Sequence, residues 1–312
     1  MTLSEQTSTP TAGIDAEAGL PLTTEPIAAP LRDRSSERSG WRVFLAKPST
    51  RVFLPIILFF TVVSIFGPFF VGDPITAGYP ELLPPGSPGH PLGTDQLGRD
   101  FLARLVNGGR VSLLVGFSVA LLCMTIGLVV GGLAGYYGGV MDAIMVKLAE
   151  YFQVLPGLVL ALVVASLFGA NVFFIVIILA ITMWPGVARI VRAESMRVSK
   201  LGYVESSKAA GFRGARIIWS DVVPNVMPPV LVATTMTVGR AILIESGLSY
   251  LGIGDPSSPS WGALLNSAQS YMRDGWWLAV LPGACIVLVV LSINMLGDGL
   301  NDSFNPTVGR VK

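Results

Sequence analysis

Charge is what this sequence has least of. Asp, Glu, Lys and Arg make up 13% of its 312 residues, against roughly 25% in soluble domains. Hydrophobic residues make up 52% and gather into long runs, so lipid is the solvent the chain is built for. Cysteine is also scarce. Cys123 and Cys285 each sit inside an apolar run, which fits small buried hydrophobes and excludes a disulfide framework. The single histidine, His90, lies in a Pro/Gly-rich stretch and reads as an ordinary loop residue. No His/Cys cluster can be assembled, so no metal site is expected. No Gly-Lys dipeptide occurs, which rules out a phosphate-binding loop of the Walker A type. The chain is not its own ATP motor. It also lacks a Ser/His/Asp set, an HExxH motif and an intramembrane carboxylate–His relay, so neither a hydrolase nor a proton-driven carrier is indicated. No catalytic residue is expected, and a net charge of +1 gives no reason to expect nucleic acid.

What is present is six apolar runs: Val52–Phe70, Val111–Gly132, Ala149–Gly169, Val172–Ile190, Val223–Ile244 and Trp276–Leu296. Each approaches the ~20 residues a helix needs to cross a bilayer. They are continuously apolar rather than alternating, which favours helices over barrel strands. The fourth is expected to break at Trp184-Pro185-Gly186. Residues 1–40 are rich in Ser, Thr, Ala, Pro and Glu and are expected to be disordered. They do not read as a secretory signal, because the first apolar run starts only near residue 52.

Lys and Arg set the orientation. Arg32, Arg34, Arg38, Arg42, Lys47 and Arg51 precede the first run, Arg189 to Arg216 lie between the fourth and fifth, and Arg310 and Lys312 close the chain. With six crossings these segments share one side, which charge bias makes cytoplasmic. Arg99, Arg104, Arg110 and Arg273 fall on the other side. The resulting division is a cytoplasmic tail (1–50), a first span with an extracytoplasmic loop (51–110), a core (111–300) containing a cytoplasmic loop at 191–222, and a second cytoplasmic tail (301–312). Gly127, Gly131 and Gly135 form a smooth stripe that lets another backbone approach. The sequence leaves open whether that backbone belongs to this chain or to a partner.

The loop at 191–222 carries the most specific pattern: Glu205-Ser206-Ser207, three residues, Gly211, then twelve residues and Pro224. Alternating apolar and charged positions suit short amphipathic helices. Gly211 is suited to the bend between them, and Pro224 to the first turn of the next span. On composition alone the loop is a solvated basic connector. The pattern, however, resembles the Glu-Ala-Ala loop of ABC-importer permeases. Two departures stand out: Ser206-Ser207 replace the Ala pair, and Asp221 replaces a hydrophobic residue or histidine. Four further segments resemble the C-type permeases of dipeptide and oligopeptide importers, in family order. They are His90-Pro91-Leu92-Gly93-Thr94-Asp95-Gln96-Leu97-Gly98-Arg99-Asp100 with Gly109-Arg110-Val111-Ser112-Leu113, Gly138 to Asp142 leading to Pro156, Glu245 to Gly254 with Pro259-Ser260-Trp261-Gly262, and Asn294 to Leu300. The last continues to Asn305-Pro306 where Asp-Pro is usual.

The resemblance implies an all-α, six-helix type I ABC importer permease with both termini cytoplasmic, set in the cytoplasmic membrane. It implies no cofactor in this chain, with ATP and Mg bound by partner ATPases. The implied partners are a second homologous permease, two ATPase subunits or domains, an extracytoplasmic substrate-binding protein, the lipid bilayer and a peptide substrate. Nickel or another small solute, carried by the same architecture, is the alternative cargo, and a stand-alone secondary carrier is the remaining alternative function. Coupling to the ATPases is expected of Glu205, Ser206, Ser207, Ala210, Gly211, Phe212, Arg213 and Pro224. Binding-protein contact is expected of Asp95, Arg99 and Trp261. Leu97, Phe101 and Leu105 suggest a short helix lying on the outer face. Arg240 and Glu245 are charges inside the fifth span, which calls for explanation: either Arg240 snorkels to the outer interface, or the two line the substrate path, with Arg240 attracting a peptide carboxylate. Lys147 and Glu150 are expected to pair locally.

Overall fold

The computed structural model describes residues 42–154 and 156–304. The expectations for the first 41 residues and for Asn305-Pro306, Arg310 and Lys312 lie outside them. Ten helices are described: α1 Pro48–Phe66, α2 Phe101–Tyr137, α3 Gly139–Val154, α4 Gly157–Phe168, α5 Val172–Val198, α6 Gly202–Ala209, α7 Gly214–Ile217, α8 Val223–Leu248, α9 Trp261–Ala268 and α10 Trp277–Phe304. Among the described residues the only β structure is three isolated bridges in the loop before α2. The first tail is not wholly irregular, since residues 42–46 are helical and Pro48 opens α1 at a position where its missing N–H costs nothing.

Five helical lengths are long and apolar enough to cross a membrane, and α3 with α4 forms a sixth, bent by 72°. Helix directions show that this bent pair crosses. Cys123 of α2 bonds the Ala180 carbonyl of α5. Farther along both helices, Gly127 faces Val187, Gly131 faces Ala188 and Val191, and Gly135 faces Arg192 and Ser195. α2 and α5 therefore run parallel, and the chain must traverse the bilayer between them. The two ends of the bundle agree. Lys47, at the start of α1, bonds Asp302 of α10 at 3.0 Å, so both ends lie on one side, as an even number of crossings requires.

The same contacts assign the glycine stripe: it packs within this chain. A Cβ on Gly135 would lie 2.6 Å from the Arg192 carbonyl oxygen, and one on Gly131 would strike the Ala188 backbone. Small residues let two helices touch where no hydrophobic effect drives them together.

Two spans differ from the sequence reading. α5 passes through Trp184-Pro185 without a break, because both side chains are buried in the bundle and packing holds the helix across the missing hydrogen bond. The third crossing starts earlier, at Gly139, and is interrupted at Pro156, whose extended backbone (ψ 107°) precedes α4. No separate outer helix spans 97–105. Leu97 lies in a turn, and Phe101 begins the 37-residue α2, capped by Asp100. The expected Lys147–Glu150 ion pair does not form; the ion pair on this helix joins Asp142 to Arg192 of α5.

Candidate functional site

The segment between α5 and α8 is built to project. α5 ends at Val198, and α6 follows after one turn. Val204 is fully buried, which anchors the short helix. Glu205, Ser206, Ala210, Gly211, Phe212 and Arg213 are exposed, and Ser207 is half-buried. The end of α6 explains Gly211. The Phe212 N–H bonds the Ser207 carbonyl at 3.2 Å and the Gly211 N–H bonds the Lys208 carbonyl at 3.0 Å, while Gly211 has φ 79°. This 6→1 and 5→2 pairing closes a helix on a left-handed residue, a role glycine fills at least cost. Phe212 then serves as a platform for Arg216, whose guanidinium lies 4.4 Å from the ring centroid.

Sequence reasoning missed what this segment rests on. Lys208 places its Nζ 5.1 Å from the Tyr136 ring and donates to the Ser199 carbonyl. A Cβ on Gly214 would lie 2.8 Å from the Tyr137 hydroxyl. The adjacent tyrosines at the end of α2 were the available signal. A bidentate pair, Arg192 with Asp142 (Nη2 to Oδ2 2.6 Å), ties α5 to α3 on the same side. Beyond α7, a five-residue π-helical turn, Ile218–Val222, leads into α8. Asp221 lies there, accepting from Ser220. Pro224 is exposed in the first turn of α8.

The opposite face is tied to itself. Asp95 is fully buried; it accepts from the Leu97 and Arg99 backbone N–H groups at 2.9 Å each and from Arg99 Nε at 2.7 Å, and it pairs with buried Arg104. Burial pushes its carboxyl upward, but those backbone donors and the Arg104 charge outweigh burial and hold it below the ordinary value of 3.8. His90, read as an ordinary loop residue, is buried and bonds Asp100 at 2.7 Å. Gly93 and Gly98 have φ +78° and +66°, and each presses on a backbone carbonyl, of Leu83 and Tyr79 respectively.

Trp261 opens α9. It is 2% exposed, and its indole N–H donates to the Leu105 carbonyl at 2.9 Å. Gly108 and Gly109 of α2 leave room for its ring. Asp95 and Trp261 thus lie inside the fold, and of the three residues expected to meet a binding protein only Arg99 reaches the surface, with its side chain 18% exposed.

Arg240 and Glu245 are not brought together. Arg240 is exposed on α8. Glu245 is 1% exposed, and it accepts from Ser249 Oγ at 2.6 Å and from Ser112 Oγ of α2 at 3.1 Å. A 133-residue separation hid the second bond from sequence reading.

The profile of the family described as "Binding-protein-dependent transport system inner membrane component" matches residues 127–310. The chain is 35% identical to the dipeptide transport system permease protein DppC of Haemophilus influenzae, over 85% of this chain and 93% of the relative. It is 35% identical to the oligopeptide transport system permease protein OppC of the same organism, over 88% of each. It is 33% identical to the glutathione transport system permease protein GsiD of Pectobacterium atrosepticum, over 91% of this chain and 96% of that one. The fold is shared with a chain of the inward-facing MetNI methionine ABC transporter, at TM-score 0.53 and 18% identity, over 64% of this chain and 96% of the other. With these likenesses beside six apolar crossings and a projecting polar segment, the chain belongs to the family of binding-protein-dependent transport system inner membrane components.

Proposed function

We propose that this chain is a permease subunit of a type I ABC importer that carries di- or oligopeptides across the cytoplasmic membrane. It does so beside a second homologous permease, driven by two ATPase subunits or domains that bind ATP and Mg, and supplied by an extracytoplasmic binding protein. Family membership supports the transport role, and relatives named for dipeptides, oligopeptides and glutathione support the cargo. The observation that carries the mechanism is α6 with its Gly211 turn, a short exposed helix with its polar face unburied. Such a surface is what a partner groove requires. α6 is joined on one side to α5 and on the other, through α7, to α8. A partner that moves it therefore moves two crossings as levers.

The test is Glu205→Lys in the assembled importer. ATP-dependent uptake is expected to be abolished while the chain still inserts and accumulates. Uptake equal to the parent's would remove Glu205 from the coupling role.

A further inference from the structure

Glu245 is a buried carboxylate whose hydrogen-bond partners are all hydroxyls. No salt bridge reaches it among the described residues. Ser249 and Ser112 donate to its two oxygens, and the Ser260 and Ser246 side chains stand beside it. The knot extends further. Ser112 Oγ also accepts the Trp261 N–H at 3.3 Å, Ser260 caps α9, and the Gly262 backbone sits directly on that of Ser246. Phe60 of α1 meets Trp261 edge-on, with centroids 5.8 Å apart. Four helices, α1, α2, α8 and α9, thus converge around one carboxylate at the outer end of the bundle.

The other end of the same rod is the projecting segment. Gly214–Ile253 forms one helical length of 40 residues, about 60 Å at 1.5 Å per residue. It starts at α7, three residues past Gly211, and passes Glu245 shortly before the left-handed Gly252 (φ 87°) ends it. A displacement at α7 reaches the Glu245 knot along this length, through the π-helical turn Ile218–Val222 and the Pro228-Pro229 pair.

We propose that Glu245 is the positioning residue through which the coupling segment moves the outer helix α9, by keeping or releasing its bond to Ser112. This rests on the coupling reading given under Proposed function. A buried carboxylate that loses a donor is costly, so the Glu245–Ser112 bond opposes a slide of α8 along α2. Ser246 follows Glu245 on α8 and moves with it, so Ser112 is the donor that a shift of α8 against α2 removes. Ser112 also holds the Trp261 backbone, so release of that bond frees the start of α9.

The experiment uses the complete importer with its partner subunits in lipid vesicles, in a Cys285→Ser background. Spin labels at Ala215 on α7 and at Gln269 beyond α9 are each paired with one at Leu58 on α1. In the parent, ATP is expected to change both distances. In Glu245→Leu the Ala215 distance still responds, while the Gln269 response is lost and uptake falls at least about tenfold. Glu245→Gln, whose amide both accepts from and donates to serine hydroxyls, restores at least about a third of uptake. Glu245→Leu with uptake and Gln269 response within about twofold of the parent overturns the proposal and leaves the coupling reading standing. A parent in which ATP moves neither label overturns both. If Glu245→Leu does not assemble, Ser112→Ala decides: a loss of at least about threefold supports the role, and uptake within about twofold of the parent refutes it.

Discussion

The two ends of the bundle use polar residues in opposite ways. At the projecting segment, Glu205 and Ser206 of α6 and Arg213 just beyond it face outward, and α6 is fastened mainly by Val204 and by Lys208 on Tyr136. On the outer side, Asp95, Arg104, His90 and Glu245 are buried and bonded to one another or to neighbouring backbone and hydroxyls. Glu205 and Arg213 are exposed, and Ser206 bonds back to the Gly202 carbonyl of its own helix. Residues that hold the outer loop in shape are consumed by internal bonds. Motifs of similar strength in the sequence thus mark an exposed segment at one end and an internal scaffold at the other.

Substitutions that break the scaffold are expected to act on folding. The largest effect belongs to Gly131→Leu, which drives a side chain into the Ala188 backbone. The parallel α2–α5 contact cannot form, and the chain is expected not to accumulate in the membrane, as read by immunoblot. Next is Asp95→Ala, which leaves the buried Arg104 without its partner. Breaking a buried pair costs on the order of 3–5 kcal/mol, so the melting temperature in detergent should fall by several degrees, while Arg99→Ala does much less.

Acid sharpens the same contrast. The folded Asp95 carboxyl sits below its ordinary value of 3.8. Its stabilisation is therefore present above that value and lost as pH falls through the lower, folded one. Protease resistance of the loop at 70–100 should persist down to about pH 4 and fail only in stronger acid. Asp95→Asn should weaken that resistance already at neutral pH.

The smallest global effect is expected at Gly211→Ala. The left-handed turn costs a non-glycine residue about 1 kcal/mol, confined to an exposed segment, so the melting temperature should barely move while uptake falls.

Much of this contrast was legible and part was not. Apolar run lengths and the Lys/Arg bias gave six crossings, because bilayer thickness and charge placement act locally. Gly211 announced its bend because only local backbone geometry is involved. The fourth run misled: Trp184-Pro185-Gly186 reads as a break, but bundle packing carries α5 through it, whereas Pro156 does interrupt its span. The glycine stripe showed that a close contact exists but not its partner, since Gly131 and Ala188 meet only in three dimensions. Asp95 and Trp261 read as surface contacts because their motifs lie in loops, and burial is not visible in a motif. Glu245 was noticed for its charge, but its bond to Ser112 joins two helices 133 positions apart.

The most direct test places a cysteine at Ser206, in the Cys285→Ser background, and measures maleimide labelling in intact cells and in inside-out vesicles, with and without the ATPase subunits. Rapid labelling from the inner side only, suppressed when the ATPases assemble, is the predicted result. Labelling from outside intact cells, or an unchanged rate with the ATPases bound, contradicts the assignment of this segment as the surface on which the motor acts.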